Sequence, residues 1–413
     1  MEERSARRVL FLSTASFTLL FAVWVMLGVL GVAIRDELHL GPIELTWLTA
    51  IAILNGSIWR LPFGLLTDRY GGKVVMIATL LGTAIPTFFV SRAHSFEALL
   101  IDALLFGIAG NSFSVGVAWN AAWFDRQRQG LALGIFGAGN VGASLTKLIG
   151  PSLIALVPLA GLGGGVIPGG WRFVPVLYAA LLVLMALAVW WLAPATDRRP
   201  ASGRSLRAML APLRAVRVWR FGLYYVVVFG AYVALSLFLP DHYTRVYGLS
   251  LAEASLWTAA FIFPASLLRP LGGWLADRFG ARRVTYAVFG LMLIACAPLA
   301  WTRVGLISFV VLVEILGIGM GIGKASVYKY IPDYYPSDVG AVGGVVGTLG
   351  ALGGFFIPIA SGYLERASGR PQSAFAILFG LIALSLGWLH LVVLRMANAQ
   401  PTPSERLPST ASS

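Results

Sequence analysis

Apolar runs of about twenty residues follow one another along almost the whole chain, separated only by short polar breaks. A bilayer offers no water to backbone N–H and C=O groups, so runs of this length must bond internally as helices. They predict an all-α polytopic membrane protein of twelve spans, near residues 9–34, 44–66, 73–92, 96–123, 130–158, 171–193, 219–240, 251–275, 283–302, 305–330, 340–363 and 371–395. The first span follows a short basic segment, as in a signal peptide, but it is too long for one and has no small-residue cleavage site, so it reads as a retained helix. A single cysteine, Cys296, excludes an intramolecular disulfide and a thiolate metal cluster.

The net charge of +13 raises the question of nucleic acid. Its distribution answers otherwise: of 31 Lys and Arg, 20 fall in the N-terminus, the loops after even-numbered spans and the C-terminus, and only seven on the other side. This asymmetry places both termini in the cytoplasm, with lipid headgroups as the acidic partner. The four histidines, His39, His94, His242 and His390, have no ligand spacing, and no acid pair or nucleophile triad is visible, so nothing here reads as an enzyme.

Four cations lie inside spans, and Arg60 constrains the rest. It stands eight residues, about 12 Å of helix, before Asp68 and Arg69, which belong at a membrane surface. That puts it near mid-depth, where a permanent charge must face a bundle interior or a wet cavity and by default marks a substrate path. The stretch recurs 209 residues later: Arg269 stands eight residues before Asp277 and Arg278, with Gly64 matching Gly273 and Gly71 matching Gly280. GLALGIFGAGNVGAS from residue 130 likewise matches GAVGGVVGTLGALGG from residue 340, aligning Gly134 with Gly344 and Gly137 with Gly347. Two parallel repeats are expected: an N-terminal six-helix half (1–193), an arginine-rich cytoplasmic linker (194–218), a C-terminal six-helix half (219–395) and a disordered tail (396–413).

The glycines of spans five and eleven fit close helix packing, but Asn140 among them is a buried amide that needs partners and can donate to an oxyanion. Gly137-x-Gly139-x-x-Gly142 matches a dinucleotide fingerprint literally, yet no strand precedes it and no acid follows before Asp197. No nucleotide, metal or other cofactor is expected.

GLLTDRYGGK and GWLADRFGARR resemble the G-x-x-x-D-R-x-G-x-[KR] loop motif of the major facilitator superfamily, in both halves. The resemblance implies cytoplasmic gating by Gly64, Asp68, Arg69, Gly273, Asp277 and Arg278. GAGNVGAS, together with GKASVYKYIPDYYPSDVGAVGGVVGTLGALGGFFIP, resembles the paired nitrate signatures of that superfamily's nitrate/nitrite porter (NarK-type) family. This narrower resemblance implies that Arg60 and Arg269 clamp nitrate from opposite sides, with Asn140 and Tyr225 hydrogen-bonding it, Phe113 and Phe229 sandwiching it, and Gly139 and Gly350 in the site. On periodicity alone, Phe113 and Phe229 read as core aromatics. Guanidinium suits a planar oxyanion, presenting a fork of donors that lysine cannot copy.

The sequence departs from many members in carrying Lys324 in the span-ten signature, with Lys147 in span five. Like charge and desolvation disfavour an ammonium near two arginines, and an anion beside it restores it, so anion and proton would favour each other's binding. Both lysines are therefore proton-coupling candidates for nitrate/proton symport; a structural lysine bonded to a carbonyl is the plain alternative. Nitrate/nitrite antiport, a small-carboxylate exchanger and a non-transporting anion sensor remain open. The expected protein is a monomeric, multi-pass bacterial inner-membrane carrier of nitrate, with nitrite and protons as further partners.

Overall fold

The computed structural model describes residues 2–40, 42–200 and 204–398, with the side chain of Lys147, among a few others, outside the described residues. Among the described residues there are twelve helical spans. In chain order they are α1 (Glu2–Trp24, continued by Leu27–Leu38), α2 (Pro42–Ile58, then Arg60–Tyr70), α3 (Gly72–Val90), α4 (Phe96–Trp123), α5 (Gln129–Gly137, resumed at Gly142–Leu156) and α6 (Phe173–Leu192). The second half repeats the series: α7 (Val216–Tyr225, resumed at Ala231–Tyr247), α8 (Leu251–Leu267, then Arg269–Phe279), α9 (Ala281–Trp301), α10 (Leu306–Tyr334), α11 (Val339–Ser368) and α12 (Ser373–Asn398). Eleven stretches are long and apolar enough to cross a membrane, among the described residues. The exception is α2, which, like α8, is divided into two helices just before its arginine, at Trp59 in α2 and at Leu268 in α8.

That break has a chemical cause. Pro62 has no N–H for the carbonyl of Ile58, and its ring crowds that carbonyl, so the helix yields just before Arg60. Pro270 does the same to Ser266 in α8. Trp59 and Leu268 adopt nearly the same backbone, φ −84°, ψ 3° and φ −81°, ψ 0°, each immediately before its arginine. Gly71 and Gly280 make the turns into α3 and α9 at φ +94° and +87°, a region closed to residues with a side chain at little cost.

α3 packs on α6, and α9 on α10 and α12. These helices turn Ile85, Phe89, Leu184, Trp191, Ile294 and Leu384 outward, as a lipid-facing surface requires. The halves meet chiefly where α2 crosses α11 and α5 crosses α8. Gly64 and Gly340 form one crossing point, and Gly273 and Gly130 the other; a Cβ on Gly64 or Gly273 would lie 1.9 Å from the facing carbonyl oxygen.

A candidate anion site between the two halves

Arg60 and Arg269 come together at the centre, both fully buried. Glycine makes room for each: a Cβ on Gly347 would lie 3.3 Å from Arg60 Cδ, and one on Gly137 only 2.4 Å from Arg269 Cζ. The glycines aligned between the repeats thus cradle the arginines aligned between the repeats, each from the opposite half.

Phe113 lies under both guanidinium groups, with Arg60 Cζ 5.5 Å and Arg269 Cζ 5.2 Å from its ring centroid. Phe229 runs parallel to Phe113 within 6°, centroids 6.3 Å apart, and Tyr225 stacks on Phe229 at 5.1 Å. Local helix irregularity sets this arrangement. Val226–Gly230 is a π-turn that puts Tyr225 and Phe229 in register, Gly107–Asn111 is a 3₁₀ turn just before Phe113, and Ala138–Val141 is a 3₁₀ turn carrying Asn140. Such interruptions recur at functional sites because they re-aim side chains that a regular helix would stagger.

The two arginines are not equivalent. Arg60 donates from Nε to the Gly56 carbonyl and from Nη1 to the Gly347 carbonyl across the interface, both at 3.0 Å. Arg269 donates from Nη2 to the Tyr225 hydroxyl at 3.5 Å, while its Nε and Nη1 have no partner among the described residues. Both polar side-chain atoms of Asn140 are likewise buried and unpartnered. Neither arginine forms an ion pair among the described residues. A cation taken out of water without a counter-ion costs several kcal/mol, and each orphaned donor adds about 1–3 kcal/mol. An anion offering several acceptor atoms would remove both costs.

Gly139 packs against Phe17 and Thr18 of α1, and Gly350 lies against the Tyr225 ring. Lys324 is buried; its Nζ donates to the Ala265 carbonyl at 2.9 Å and sits 3.1 Å from the Tyr232 ring centroid. Lys147 lies on α5, with its side chain outside the described residues.

Sequence reasoning missed two aromatic contributors. Trp24 stacks on Arg60 at 5.6 Å, and its Nε1 donates to the Ala52 carbonyl. It lies inside the apolar run 9–34, where an aromatic reads as one more packing residue, so nothing in the pattern singled it out. Tyr328 meets Phe113 and Tyr225 edge-on, at 5.0 and 4.5 Å, and donates to the Gly343 carbonyl. No spacing distinguishes it from its tyrosine neighbours.

Beside the arginines, a cavity of about 110 Å³ lined by Phe21, Trp24, Ala143, Tyr232, Ser236 and Ile262 lies away from the two D-R loops. On the loop side the halves are latched twice. Asp68 accepts the N–H groups of Gly340 and Ala341, at 2.9 and 3.3 Å, and Asp277 accepts those of Gly130 and Leu131, at 3.0 and 2.8 Å. Each carboxylate meets the first turn of a helix from the other half, where unpaired N–H groups and the helix dipole favour an anion. Lys329 adds an ion pair to Asp277 at 3.0 Å and reaches the Arg126 carbonyl of the first half. Arg69 and Arg278 turn outward over Tyr70 and over Trp274 and Phe279.

A membrane-embedded helical protein with one buried, doubly cationic centre between two repeats, closed on one face by paired latches, is a transporter, not an enzyme. Known proteins agree. The family model described as Major Facilitator Superfamily matches residues 12–251 and again residues 221–413. A Thermus thermophilus protein named probable nitrate/nitrite antiporter NarK1 is 58% identical, covering 97% of this chain and 94% of its own. The nitrite extrusion protein of Bacillus subtilis is 31% identical, covering 90% and 91%. The probable nitrate transporter NarT of Staphylococcus haemolyticus is 30% identical, covering 92% and 96%. Among solved structures, the human organic anion transporter MFSD10 superimposes with a TM-score of 0.73 at 18% identity, covering 93% of this chain and 99% of its own. The Escherichia coli fucose:proton symporter FucP follows at 0.71 and 17%, covering 92% and 98%. The two structural likenesses speak for the fold alone. The chain belongs to the nitrate/nitrite porter family of the Major Facilitator Superfamily.

Proposed function

We propose that this protein carries nitrate across the bacterial inner membrane by alternating access, binding it between Arg269, Asn140 and Arg60, with both termini in the cytoplasm. The observation that carries this reading is the pair of buried arginines over Phe113, of which Arg269 keeps two N–H groups without a partner among the described residues, together with the buried amide of Asn140, which has none there either. Nitrate is small, planar and singly charged, with three equivalent acceptor oxygens for the guanidinium forks. The parallel faces of Phe113 and Phe229 suit its flat shape. Tyr225, whose hydroxyl already accepts from Arg269, is placed to donate in turn. The names of the relatives, which speak of nitrate and nitrite, point the same way.

The coupling we favour is proton symport through Lys324, whose ammonium shares the cavity's positive field and gains from an anion nearby. Nitrate/nitrite exchange is the second reading. It is favoured by the Thermus relative's name and by the Lys324 bond to the Ala265 carbonyl, which suits a structural lysine. The deciding experiment is nitrate uptake into proteoliposomes, comparing an inward proton gradient with internal nitrite and no gradient. Gradient-driven uptake that Lys324→Asn abolishes supports symport. Uptake that needs internal nitrite and survives Lys324→Asn establishes exchange, and no nitrate flux under either condition refutes the substrate.

A further inference from the structure

The two latches on the D-R face differ in how their charge is balanced. Asp277 has Lys329 from its own half, with both side chains at least nine-tenths buried. Asp68 has no such lysine among the described residues. It shares the start of α11 with a second carboxylate, Asp338, which immediately precedes the helix whose Gly340 and Ala341 N–H groups Asp68 accepts. Two acids at one helix end repel. The compensating cation comes from the segment that joins the two halves: Arg204 donates from Nη1 to Asp338 at 2.6 Å and to the Ser337 carbonyl at 3.1 Å.

The other end of that segment is fastened to the first half. One Asp197 oxygen accepts from the indoles of Trp119 and Trp123, both at 3.0 Å, and the other accepts the Lys73 backbone N–H at 2.8 Å, the first turn of α3. Arg198 lies 4.9 Å from the Trp123 ring centroid. The described ends of this strap are therefore held apart: Asp197 and Arg198 on the first half, and Arg204 on α11 of the second, beside the Asp68 latch.

We infer that Arg204 is a positioning residue of the gate: it neutralises Asp338, so that the ionised Asp68 can seat on the first turn of α11, as Lys329 does for Asp277. The charged groups around Asp68 are Asp338 from α11 and Arg204 from the strap, since Arg69 turns away over Tyr70. Removing Arg204 leaves Asp338 to oppose Asp68 and opens this face. The opening is largest where Asp68 is ionised. Burial, opposed by its two backbone hydrogen bonds, raises that carboxyl to about 7, so the effect is full near pH 8 and fades by pH 6.

The test uses full-length protein in nanodiscs and does not depend on substrate identity. Val117 lies on α4 one turn from Phe113 towards the gate, against Gly343 of α11, and is 2% exposed. A Val117→Cys reporter in a Cys296→Ser background reads opening as its rate of reaction with a water-soluble thiol reagent. Arg204→Gln should raise that rate roughly tenfold at pH 8, the scale of coupling within one charge network. Arg204→Lys should leave it near the parent rate. Adding Asp338→Asn to Arg204→Gln should restore closure to within about threefold of the parent, because no second carboxylate then opposes Asp68. An unchanged rate in Arg204→Gln overturns the inference. So does a double variant as open as the single one, since the strap would then be a mere tether.

Discussion

Replacing Gly64 with alanine tests the closed face most directly. In the closed arrangement the new methyl would sit 1.9 Å from the Gly340 carbonyl oxygen and 2.6 Å from its carbon, both backbone atoms that cannot swing aside. Relief requires α2 and α11 to part by about 1 Å at this crossing, to reach the closest separations that real Cβ atoms show. The Asp68 bonds to Gly340 and Ala341, now 2.9 and 3.3 Å, then stretch beyond hydrogen-bonding range. Bonds to a charged group contribute about 1.5–3 kcal/mol each, and water recovers part of that once the gate opens, so the net cost to closure is about 2–4 kcal/mol. The closed-to-open ratio should fall roughly 30- to 1,000-fold. The Val117→Cys reporter should label at least about 30-fold faster in Gly64→Ala, and Gly273→Ala should act alike through the 1.9 Å contact at Gly130. Labelling within threefold of the parent in both variants would refute the claim that these crossings close the gate.

Other expectations concern the centre and the latch. Arg269→Lys keeps a charge but loses the forked donors, so nitrate binding by purified protein, measured calorimetrically, should weaken about 10- to 100-fold; an unchanged Kd refutes bidentate recognition. Asn140→Ala removes a buried donor that has no partner among the described residues, so it should weaken nitrate binding about 5- to 10-fold while leaving the thermal midpoint of the empty protein unchanged or higher. A lowered midpoint with unaltered binding would make Asn140 structural. The gate should respond to pH with a definite sign. Asp68 has a carboxyl raised to about 7 when closed, against the usual carboxylate range when open to water, so the closed state holds the proton more tightly. Closure is therefore strongest in acid and is lost as pH rises towards 7, with little further change above. Val117→Cys labelling, corrected for thiol ionisation with the Asp68→Asn variant, should rise on the order of tenfold from pH 5.5 to 7.5. A flat profile removes Asp68 as the titrating group.

Much of this protein is legible in one dimension because the membrane makes errors expensive. A charge in an apolar run has few places to go, so Arg60 and Arg269 could be singled out as interior cations from spacing alone, and their repetition pointed to two halves. The aligned glycines were equally visible, but that each pair makes room for the arginine of the opposite half emerges only from the crossing of α2 with α11 and α5 with α8. The first span was expected as one run over 9–34; it is two helices, breaking after Trp24. Hydropathy averages over such an interruption and cannot register it.

What the sequence by itself determined is what depends on composition and period: an all-helical membrane chain, its approximate spans, the repeat, the two central cations and the D-R loops. The tertiary structure alone decided which donors remain without partners, that Arg60 bonds Gly347 across the interface while Arg269 leaves two N–H groups open, and that Arg204 reaches Asp338 across 134 residues of chain. Hydrophobic burial is set by each residue's own chemistry and recurs with helical period, so it leaves a pattern in sequence. Hydrogen bonds and ion pairs between distant segments act over about 3 Å and depend on direction, so they exist only once the helices have packed.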